Sequence, residues 1–384
     1  MLPELSQDEI LRYSRHLLIP EVGLEGQRKL KAASVLIVGT GGLGSPVAMY
    51  LAAAGVGHIG LVDYDVVDSS NLQRQVIHAT SRVGQLKVES ARQRLADLNP
   101  YIQVDIYNEV FSSLNAWQIA ADYGILVDGS DNFPTRYLLN DLAVLTTKPY
   151  VYGSIFRFEG QVSVFDARMG ACYRCLFPEP PPPGMVPSCA EGGVFGVLPG
   201  TVGTIQATEV IKLILEIGEP LINKLLLYDA LDATVQTVHL RKNPKCRVCG
   251  DQPEITSLID YEEFCGVPTR DEHANLAGGE WDIEPLEVQR RLKNNEVIRL
   301  VDVRDPVELH ISSLPGALLL PLTQLPQRFN ELNPADELVL FCRTGVRSAR
   351  AVRLLASQGF THLHNLKGGI NAWAEQIDPL INRY

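Results

Sequence analysis

The sequence predicts an α/β protein of two domains, in which a doubly wound, mainly parallel sheet is followed by a second, smaller α/β domain. Three observations support this fold class. The chain has 384 residues, which is more than one hydrophobic core normally holds. Runs of Val, Ile and Leu typical of buried strands alternate with helical patterns. A glycine-rich loop follows the first of these strands, and a cysteine-containing loop follows a later one.

The first half of the chain opens with a helical arm of about 30 residues and continues as a βαβ unit. Ser34–Val38 has a strand pattern, Pro46–Ala54 has a helix pattern ended by Gly55, and His58–Asp63 is the next strand. Such a unit predicts parallel strands joined by right-handed crossovers. The same domain has further predicted strands, and a helix at Thr201–Ile217, with the strands at Gln103–Tyr107, Gly124–Val127, Tyr150–Tyr152, Lys224–Tyr228 and Thr234–Leu240.

Two stretches with weak periodicity divide the rest of the chain. Residues 178–193 are rich in proline and glycine, which disfavour helix and central strand, so they predict a long loop. Residues 251–281 are interpreted as a linker between a first domain at 1–250 and a second domain at 282–384. The second domain has predicted helices and strands at Leu286–Lys293, Ile298–Val303, Leu338–Phe341 and Ser348–Gln358.

Composition excludes several classes of function. The formal net charge of -11 argues against direct nucleic-acid binding and is compatible with a small protein partner. No apolar run reaches the roughly 18 residues that cross a bilayer, and the first residues lack a signal-peptide pattern. We therefore expect a cytoplasmic protein with no membrane partner. Seven cysteines, four of them in Cys-x-x-Cys pairs, favour metal or redox chemistry in a reducing compartment.

The glycine-rich loop predicts a nucleotide site. Between a strand and a helix, glycines let backbone N–H groups approach a phosphate closely, and the helix N-terminus adds positive potential. Asp63, at the end of the next strand, suits the hydroxyl groups of a ribose. Dinucleotide-binding dehydrogenases share this pattern, so an oxidoreductase is an open alternative at this point. The glycines of the loop are Gly39, Gly41, Gly42 and Gly44.

Polar and basic residues downstream favour a triphosphate. Ser70–Gln75 and Lys87 supply an amide and two cations, although a solvated loop and a helix face are the plain alternative. Asp131 follows the strand that ends at Val127, where carboxylate oxygens suit Mg²⁺ bound to phosphates, and a simple turn is the alternative there. The candidate ATP-binding residues of these segments are Ser70, Asn71, Leu72, Arg74, Lys87, Asp131 and Asn132.

Four cysteines have the spacing of a metal site, in the pairs Cys172-x-x-Cys175 and Cys246-x-x-Cys249. Four thiolates that close a tetrahedron are typical of structural Zn²⁺. Two redox or incidental pairs are the alternative, but neither pair opens a helix after a strand as in thioredoxin-like proteins. A closed shell of four thiolates leaves no position for a substrate, so the sequence predicts a structural zinc ion.

Two further cysteines lie in settings that suit a nucleophile. Cys342 follows a strand pattern, and loop amides, a helix N-terminus, Arg343 and Arg347 all favour its thiolate or persulfide anion. A buried, unreactive cysteine is the alternative for this position. Cys189 lies in the proline-rich loop, which suits a group that must travel to its target, and simple loop filler explains it as well. No role is assigned to Cys265.

Residues 12–249 resemble the MoeB/ThiF adenylyltransferases, which are relatives of the ubiquitin-activating enzymes. The resemblance is carried by Arg12-Tyr13-Ser14-Arg15, Gly39–Gly44, Ser69–Gln75, Lys87, Asp128–Asn132 and both Cys-x-x-Cys pairs. It implies ATP and Mg²⁺ as cofactors and a homodimer in which Arg15 reaches the ATP of the other subunit. The implied contacts are phosphates with Gly42 and its neighbouring glycines, ribose with Asp63, polyphosphate with Asn71, Arg74 and Lys87, and Mg²⁺ with Asp131.

Residues 283–384 look like a rhodanese domain, on the motifs Leu300–Arg304, His310-Ile311, Leu314–Ala317, Cys342–Ser348 and Gly368–Trp373. The resemblance implies that Cys342 carries a persulfide, with Arg343 and Arg347 as anion stabilisers. Some phosphatases use a similar loop that is one residue longer. The shorter loop found here favours a sulfurtransferase.

The two domains together resemble the fused MoeZ-type enzymes. The resemblance implies that ATP activates the C-terminal glycine of a small ubiquitin-like sulfur carrier protein ending in Gly-Gly, and that persulfide sulfur then replaces AMP to give a thiocarboxylate. Such products serve molybdopterin, thiamine, cysteine or tRNA thiolation, with a cysteine desulfurase or thiosulfate as the sulfur donor. In these enzymes the position of Cys189 is a second active cysteine.

Two alternatives to this function stay open on the sequence. In the first, the enzyme conjugates the carrier to other proteins through a Cys189 thioester, and the rhodanese-like domain is regulatory. In the second, the rhodanese-like domain only docks the carrier or a sulfur donor, and the chain catalyses adenylation alone.

Overall fold

The computed structural model describes residues 2–182, 192–266 and 279–384 of the chain. Contacts between Cα atoms divide the chain into two compact units, Met1–Val267 and Pro268–Tyr384. Each unit contains its own sheet. Within the described ranges, no helix has both the length and the apolar character needed to cross a membrane. Cys189 lies outside the described residues.

The sheet of the first unit has the doubly wound, mainly parallel arrangement that the sequence predicts. Its strands follow the order β3-β2-β1-β4-β5-β6-β7-β8, where β1 is Ser34–Val38, β2 His58–Val62, β3 Gln103–Tyr107, β4 Ile125–Asp128, β5 Tyr150–Phe156, β6 Glu159–Phe165, β7 Lys224–Asp229 and β8 Thr234–His239. Neighbours from β3 to β5 are parallel, and the pairs from β5 to β8 are antiparallel. Strand β6 was not predicted, because the hairpin that it forms with β5 has no glycine turn.

Helices cover both faces of this sheet. Val35 and Ile37 pack into one core and Leu36 and Val38 into another, so β1 is buried on both sides. The helices of the first unit are Gln7–Arg12, Ser14–Leu17, Gly23–Ala32, Gly44–Ala54, Lys87–Leu98, Ala116–Ala120, Phe133–Leu145, Tyr173–Leu176, Leu198–Leu215 and Tyr261–Phe264, with 3₁₀ turns at Ser69–Asn71 and Thr80–Arg82.

The strand register brings the nucleotide-binding candidates to one edge of the sheet. Val38, the last residue of β1, pairs with Val62 of β2 on one side and with Asp128 of β4 on the other. The chain therefore leaves three adjacent strands at the same level, at the point where the strand order reverses. Ligands of open α/β sheets bind at such a switch point.

Part of the predicted linker packs on the first unit. Tyr261 and Cys265 are buried among the aromatic residues beneath the helix Phe133–Leu145, and Ile255 packs against the four-cysteine cluster. Residues 251–266 therefore pack as part of the first unit. Their weak hydrophobic periodicity did not predict this packing. The remainder of that linker includes residues 267–278, which lie outside the described part of the chain.

The second unit is a smaller three-layer α/β fold. Its parallel sheet has the order β11-β10-β12-β13-β9, where β9 is Asp282–Ile283, β10 Ile298–Asp302, β11 Leu318–Leu319, β12 Glu337–Phe341 and β13 Leu363–Leu366. Its helices are Pro285–Lys293, Leu325–Arg328, Val346–Ser357 and Gly369–Gln376, with 3₁₀ turns at Pro306–His310 and Phe329–Glu331. Alternate residues of β12 enter two cores, so the strand before Cys342 is rigidly held.

Candidate functional sites

The glycine loop after β1 is shaped by close backbone contacts. Gly39 has a φ of +95°, and a Cβ there would lie 2.6 Å from the carbonyl oxygen of Gly129. A Cβ on Gly44 would lie only 1.8 Å from the carbonyl oxygen of Gly39. Side chains are therefore excluded at both positions, and the loop presents backbone at the start of the helix Gly44–Ala54. The loop suits the phosphates of a nucleotide.

Asp63 fixes this loop to the end of β2. Its Oδ2 atom accepts hydrogen bonds from the backbone N–H of Thr40 at 2.8 Å and from the Thr40 hydroxyl at 2.9 Å. Its Oδ1 atom accepts from the backbone N–H of Asp65 at 3.0 Å. Asp63 is buried, so these bonds hold the carboxylate in one orientation at the predicted ribose position. Thr40 occupies the variable position of the glycine motif, and the sequence alone predicts no role for it.

Lys87 lies at this site in an ion pair that the sequence did not predict. Its ammonium group donates to Asp65 Oδ2 at 2.9 Å, and its side chain is only 7% exposed while that of Asp65 is 51% exposed. A buried lysine next to a half-exposed carboxylate can exchange that partner for a phosphate at little cost. Asp65 lies two residues after Asp63. This repeat of acidic residues is the sequence feature from which a partner for Lys87 could have been predicted.

The polar segment after β2 lies beside the glycine loop. A Cβ on Gly42 would lie 3.7 Å from Cδ of Arg74, which brings that predicted cation to the loop. Within the segment, Ser70 donates its N–H and hydroxyl to Asp68, and Asn71 donates to the Ser70 hydroxyl at 3.5 Å. The Arg74 guanidinium makes only a long bond, 3.4 Å, to the Ser70 carbonyl oxygen. Leu72 ends the 3₁₀ turn Ser69–Asn71 and supplies no polar side chain.

The predicted Mg²⁺ segment separates into structural and exposed residues. Asp128 is fully buried and accepts hydrogen bonds from the Ser130 N–H and hydroxyl and from Tyr150. Asn132 caps the helix Phe133–Leu145 by accepting the N–H of Thr135 at 2.9 Å. Asp131 is exposed, so Mg²⁺ binding there stays a prediction.

Arg15, the residue predicted to act in a second subunit, is exposed on the helix Ser14–Leu17. It contributes to no contact that the structure gives for the glycine loop. The structure contains one chain, so its role in a homodimer stays a prediction.

His78 is a buried group at this site that the sequence did not predict. Its ring nitrogens lie 3.0 Å from the Ser90 hydroxyl and 3.2 Å from the carbonyl oxygen of Thr40. Burial lowers the pKa of His78 to about 4, although the bond to Thr40 opposes this change. The neutral ring therefore helps to hold the glycine loop in place through its contact with the Thr40 carbonyl oxygen. No spacing rule connects residue 78 with residue 40, so only the fold reveals this contact.

The four cysteines of the two Cys-x-x-Cys pairs form one cluster. All four Sγ atoms lie within 4.8 Å of one another, and neighbouring sulfurs are 3.4, 3.6 and 3.9 Å apart. Four sulfurs at the corners of a zinc tetrahedron are about 3.8 Å apart when each lies about 2.3 Å from the ion. The residues thus fit a structural Zn²⁺ ion, held by Cys172, Cys175, Cys246 and Cys249.

A buried ion pair supports this cluster from inside the first unit. Arg174, between the cysteines of the first pair, donates to both carboxylate oxygens of Asp141 at 2.7 and 2.8 Å. The Tyr261 hydroxyl donates to the same carboxylate at 2.9 Å, so the segment after the second cysteine pair is tied to it as well. Bidentate pairs of this type need both partners, because either one alone would be an uncompensated buried charge.

Cys342 lies in a cradle at the end of β12. Its Sγ atom accepts a hydrogen bond from the N–H of Gly345 at 3.1 Å and lies 3.5 Å from the Ser348 hydroxyl. Gly345 has a φ of +94° and precedes the helix Val346–Ser357, whose N-terminus therefore points at the sulfur. Cys342 is only 1% exposed. The cradle thus gives the sulfur two hydrogen-bond donors and the N-terminus of a helix.

The two predicted arginines of this loop have different partners. Arg347 donates from both terminal nitrogens to the two carboxylate oxygens of Glu308, each at 2.7 Å. Arg343 lies against the ring of Tyr384, with its Cζ atom 5.3 Å from the ring centre. Glu308 and Tyr384 were absent from the predicted site, because they lie 34 residues before and 42 residues after Cys342 in the sequence.

Comparison with known proteins decides the family. The model of the ThiF family matches residues 13–248, and that of the rhodanese-like domain matches residues 284–376. The chain belongs to the ThiF family. It carries a rhodanese-like domain after the ThiF domain, as the sequence predicted.

Relatives of this family match almost the whole chain. A probable adenylyltransferase/sulfurtransferase, MoeZ, of Mycobacterium tuberculosis is 50% identical over 98% of this chain and 95% of its own length. The adenylyltransferase and sulfurtransferase MOCS3-1 of Drosophila pseudoobscura is 42% identical over 99% of this chain and 87% of its own length. Among solved structures, E. coli MccB with ATP has 25% identity and a TM-score of 0.55, covering 62% of this chain and 75% of its own.

Proposed function

We propose that the chain is an adenylyltransferase and sulfurtransferase that makes a C-terminal thiocarboxylate on a small ubiquitin-like sulfur carrier protein ending in Gly-Gly. The observation that carries the proposal is the presence of two cradles in one chain, a glycine loop with Lys87 beside it and a loop that holds Cys342. Relatives named adenylyltransferase and sulfurtransferase, similar over nearly the full chain, support the same pairing of activities.

The first step is adenylation of the carrier. A carboxylate oxygen of its last glycine attacks the α-phosphorus of ATP, the bond to the bridging oxygen breaks, and pyrophosphate leaves. We assign to Lys87 and Arg74 the role of balancing the charge on the phosphates, and to Asp63 the binding of the ribose hydroxyl groups. Asp131 would hold Mg²⁺, which would offset negative charge on the phosphates. Positioning and charge stabilisation of this kind supply most of the acceleration in phosphoryl-type transfers.

The second step is sulfur transfer from a Cys342 persulfide. Its outer sulfur attacks the acyl carbon, the bond to AMP breaks, and carrier and enzyme are joined through an acyl disulfide. A second thiolate must then attack the Sγ of Cys342 to release the thiocarboxylate, and we assign this role to Cys189. The Cys189–Cys342 disulfide that remains is reduced by an external thiol. A cysteine desulfurase or thiosulfate would reload Cys342.

The test follows the mass of the carrier. Full-length enzyme is incubated with ATP, Mg²⁺, thiosulfate, a reducing thiol and a set of Gly-Gly-ended carriers, and each carrier is weighed intact. We expect replacement of one oxygen by sulfur with the wild type and adenylate without sulfur with Cys342→Ala. When the reducing thiol is left out, Cys189→Ala should keep the carrier on the enzyme as an acyl disulfide, which an added thiol would otherwise cleave. Cys265→Ala is the matched control, because this buried cysteine lies in neither cradle.

Other outcomes would contradict separate parts of the proposal. Unchanged sulfur incorporation in Cys342→Ala would remove this cysteine from the mechanism. Carrier adenylate without sulfur in the wild type would leave only the first step standing. A carrier found on substrate lysines instead of a thiocarboxylate would favour a conjugating enzyme.

A further inference from the structure

The contacts of Arg347 raise a question about the sulfur cradle. An arginine that stabilises a persulfide is expected to direct its guanidinium at the sulfur, yet both of its terminal nitrogens bind Glu308. The side chains of the pair are 15% and 12% exposed, whereas those of Arg328 and Glu331 in the same unit are 38% and 44% exposed. A bidentate pair with this little exposure is a fixed part of the structure.

Tyr384 secures the carboxylate of this pair. Its hydroxyl donates to Glu308 and accepts from Arg304 at 2.8 Å. Arg304 is itself fixed by Asp302, which accepts from two of its nitrogens. Burial raises the pKa of Glu308, but bonds from Arg347 and Tyr384 outweigh burial and lower it to about 2. Glu308 is therefore charged over the whole working pH range, and it cannot rotate away from Arg347.

The ion pair of Arg347 and Glu308 affects the net charge around Cys342. Arg347 is near enough to Cys342 for an electrostatic interaction. Glu308 offsets that charge, so the cradle has one balanced arginine in addition to Arg343. The charged and titratable groups on the elements packed around the loop are Asp302 and Arg304 at the end of β10, Asp305 and Glu308 in the 3₁₀ segment, Arg343, Arg347 and Tyr384.

We propose that Glu308, secured by Tyr384, is a positioning residue for sulfur transfer that fixes Arg347 beside Cys342 and offsets its charge, so that the persulfide stays nucleophilic. This inference rests on the sulfurtransferase half of the proposed function. A thiolate or persulfide that is held too strongly by cations forms readily but reacts slowly, because nucleophilicity falls as the pKa falls. The cradle must both load and release sulfur, which favours a moderate net charge.

Two reactions separate these requirements. In loading, the Cys342 thiolate attacks the outer sulfur of thiosulfate, the S–S bond of thiosulfate breaks, and sulfite leaves. In the second reaction, the outer sulfur of the Cys342 persulfide attacks the methylene carbon of iodoacetamide, iodide leaves, and a carbamidomethyl disulfide remains, so the rate reports how nucleophilic the persulfide is. An uncompensated Arg347 favours the thiolate that loading needs and makes the persulfide a weaker nucleophile.

The experiment compares Glu308→Gln with the wild type in the full-length protein. Alkylation of the Cys342 thiol by iodoacetamide is followed against pH at the level of the Cys342 peptide, and single-turnover loading and alkylation of the loaded persulfide are followed by mass. We expect the midpoint of alkylation to fall by about one pH unit. The variant loses the negative charge of Glu308, and that charge disfavours a thiolate at Cys342. Alkylation of the persulfide should slow about three-fold for each such unit, while loading continues.

Matched variants separate charge from packing. Glu337→Gln breaks another partly buried ion pair of the same sheet, with Arg291, and should leave the midpoint unchanged. Glu308→Asp keeps the charge and should restore most of the wild-type midpoint. Tyr384→Phe keeps the ring on Arg343 but removes the hydroxyl, so its shift should have the same sign as that of Glu308→Gln and be smaller.

Two results would overturn the proposal. In one, the alkylation midpoint of Glu308→Gln stays at the wild-type value. In the other, Glu337→Gln moves the midpoint as far as Glu308→Gln does, which would reduce Glu308 to a general structural role. Failure of the proposed function looks different, since wild-type Cys342 would then take no sulfur from thiosulfate while its alkylation profile still reported the charge of the cradle.

Discussion

Lys87 in the first unit and Arg347 in the second are both cations predicted to bind an anion, and both are held by a carboxylate. The difference lies in exposure. Asp65, the partner of Lys87, is 51% exposed, while Glu308, the partner of Arg347, is 12% exposed and bound by a second group. Water competes for Asp65, so phosphate can replace it, whereas Glu308 stays with its arginine.

This difference matches the chemistry proposed for each unit. A nucleotide arrives with several negative charges and leaves as two products, so its cation must change partners in each cycle. A persulfide forms on a residue of the protein, so its surroundings can stay fixed. An ion pair between a cation and a carboxylate can thus be a temporary contact in one site and a permanent one in another, depending on burial.

The largest expected effect concerns what holds each unit together. The first unit has the four-cysteine cluster, and the described part of the second unit has no comparable group of metal ligands. Cys249→Ser or a chelator, either of which would remove the predicted Zn²⁺, should therefore destabilise the first unit by several kcal/mol, less than the about 10 to 16 kcal/mol of zinc-finger peptides because packing also contributes. Hydrogen exchange read by peptide should show opening of the first unit alone.

A control and an opposite result sharpen the zinc prediction. Cys265→Ser changes a buried cysteine outside the cluster and should keep zinc bound. ATP affinity of Cys249→Ser, measured below its melting temperature, should change less than its stability. A metal-free Cys249→Ser protein that melts like the wild type would show that the cysteines do not bind a structural ion.

The next-largest expected effect is a difference in the pH range over which each unit loses stability. His78 has its pKa lowered from 6.5 to about 4 in the folded first unit, so the unfolded chain binds a proton first. Stability of the first unit should therefore fall by up to about 3 kcal/mol as the pH falls from 6.5 to 4. Glu308 has its pKa lowered from 4.5 to about 2, so its contribution to the second unit is complete above pH 4.5 and is lost toward pH 2.

Hydrogen exchange, measured for each peptide at several pH values, gives the pH range over which each of the two units loses stability in the same protein. The variant His78→Gln should remove the part of the pH dependence that lies between 6.5 and 4. His239→Gln changes an exposed histidine of the same unit and is the matched control. Equal pH dependence in His78→Gln and the wild type would mean that other groups cause the acid loss.

The sequence predicted the elements of both folds better than it predicted contacts. Strand β1, the glycine loop and the strand before Cys342 could be predicted because each has a local pattern that a buried strand or a tight turn requires. Four cysteines could be joined into one site because zinc sets their number and spacing. His78 and Glu308 could not be predicted, since each acts through a partner that is distant in the sequence and that only the sheet order brings near.

The smallest expected effect tests the exchangeable pair directly. Asp65→Asn removes the carboxylate that competes with ATP for Lys87, and exposed ion pairs are worth about 0.2 to 1 kcal/mol. ATP binding measured by calorimetry should therefore tighten by up to about five-fold, and Asp97→Asn, an exposed acid on the helix Lys87–Leu98, should leave it unchanged. Weaker binding in Asp65→Asn would show instead that Asp65 positions Lys87 or contacts the bound nucleotide. The two ion pairs would then be alike, because each cation would need its carboxylate in place to work.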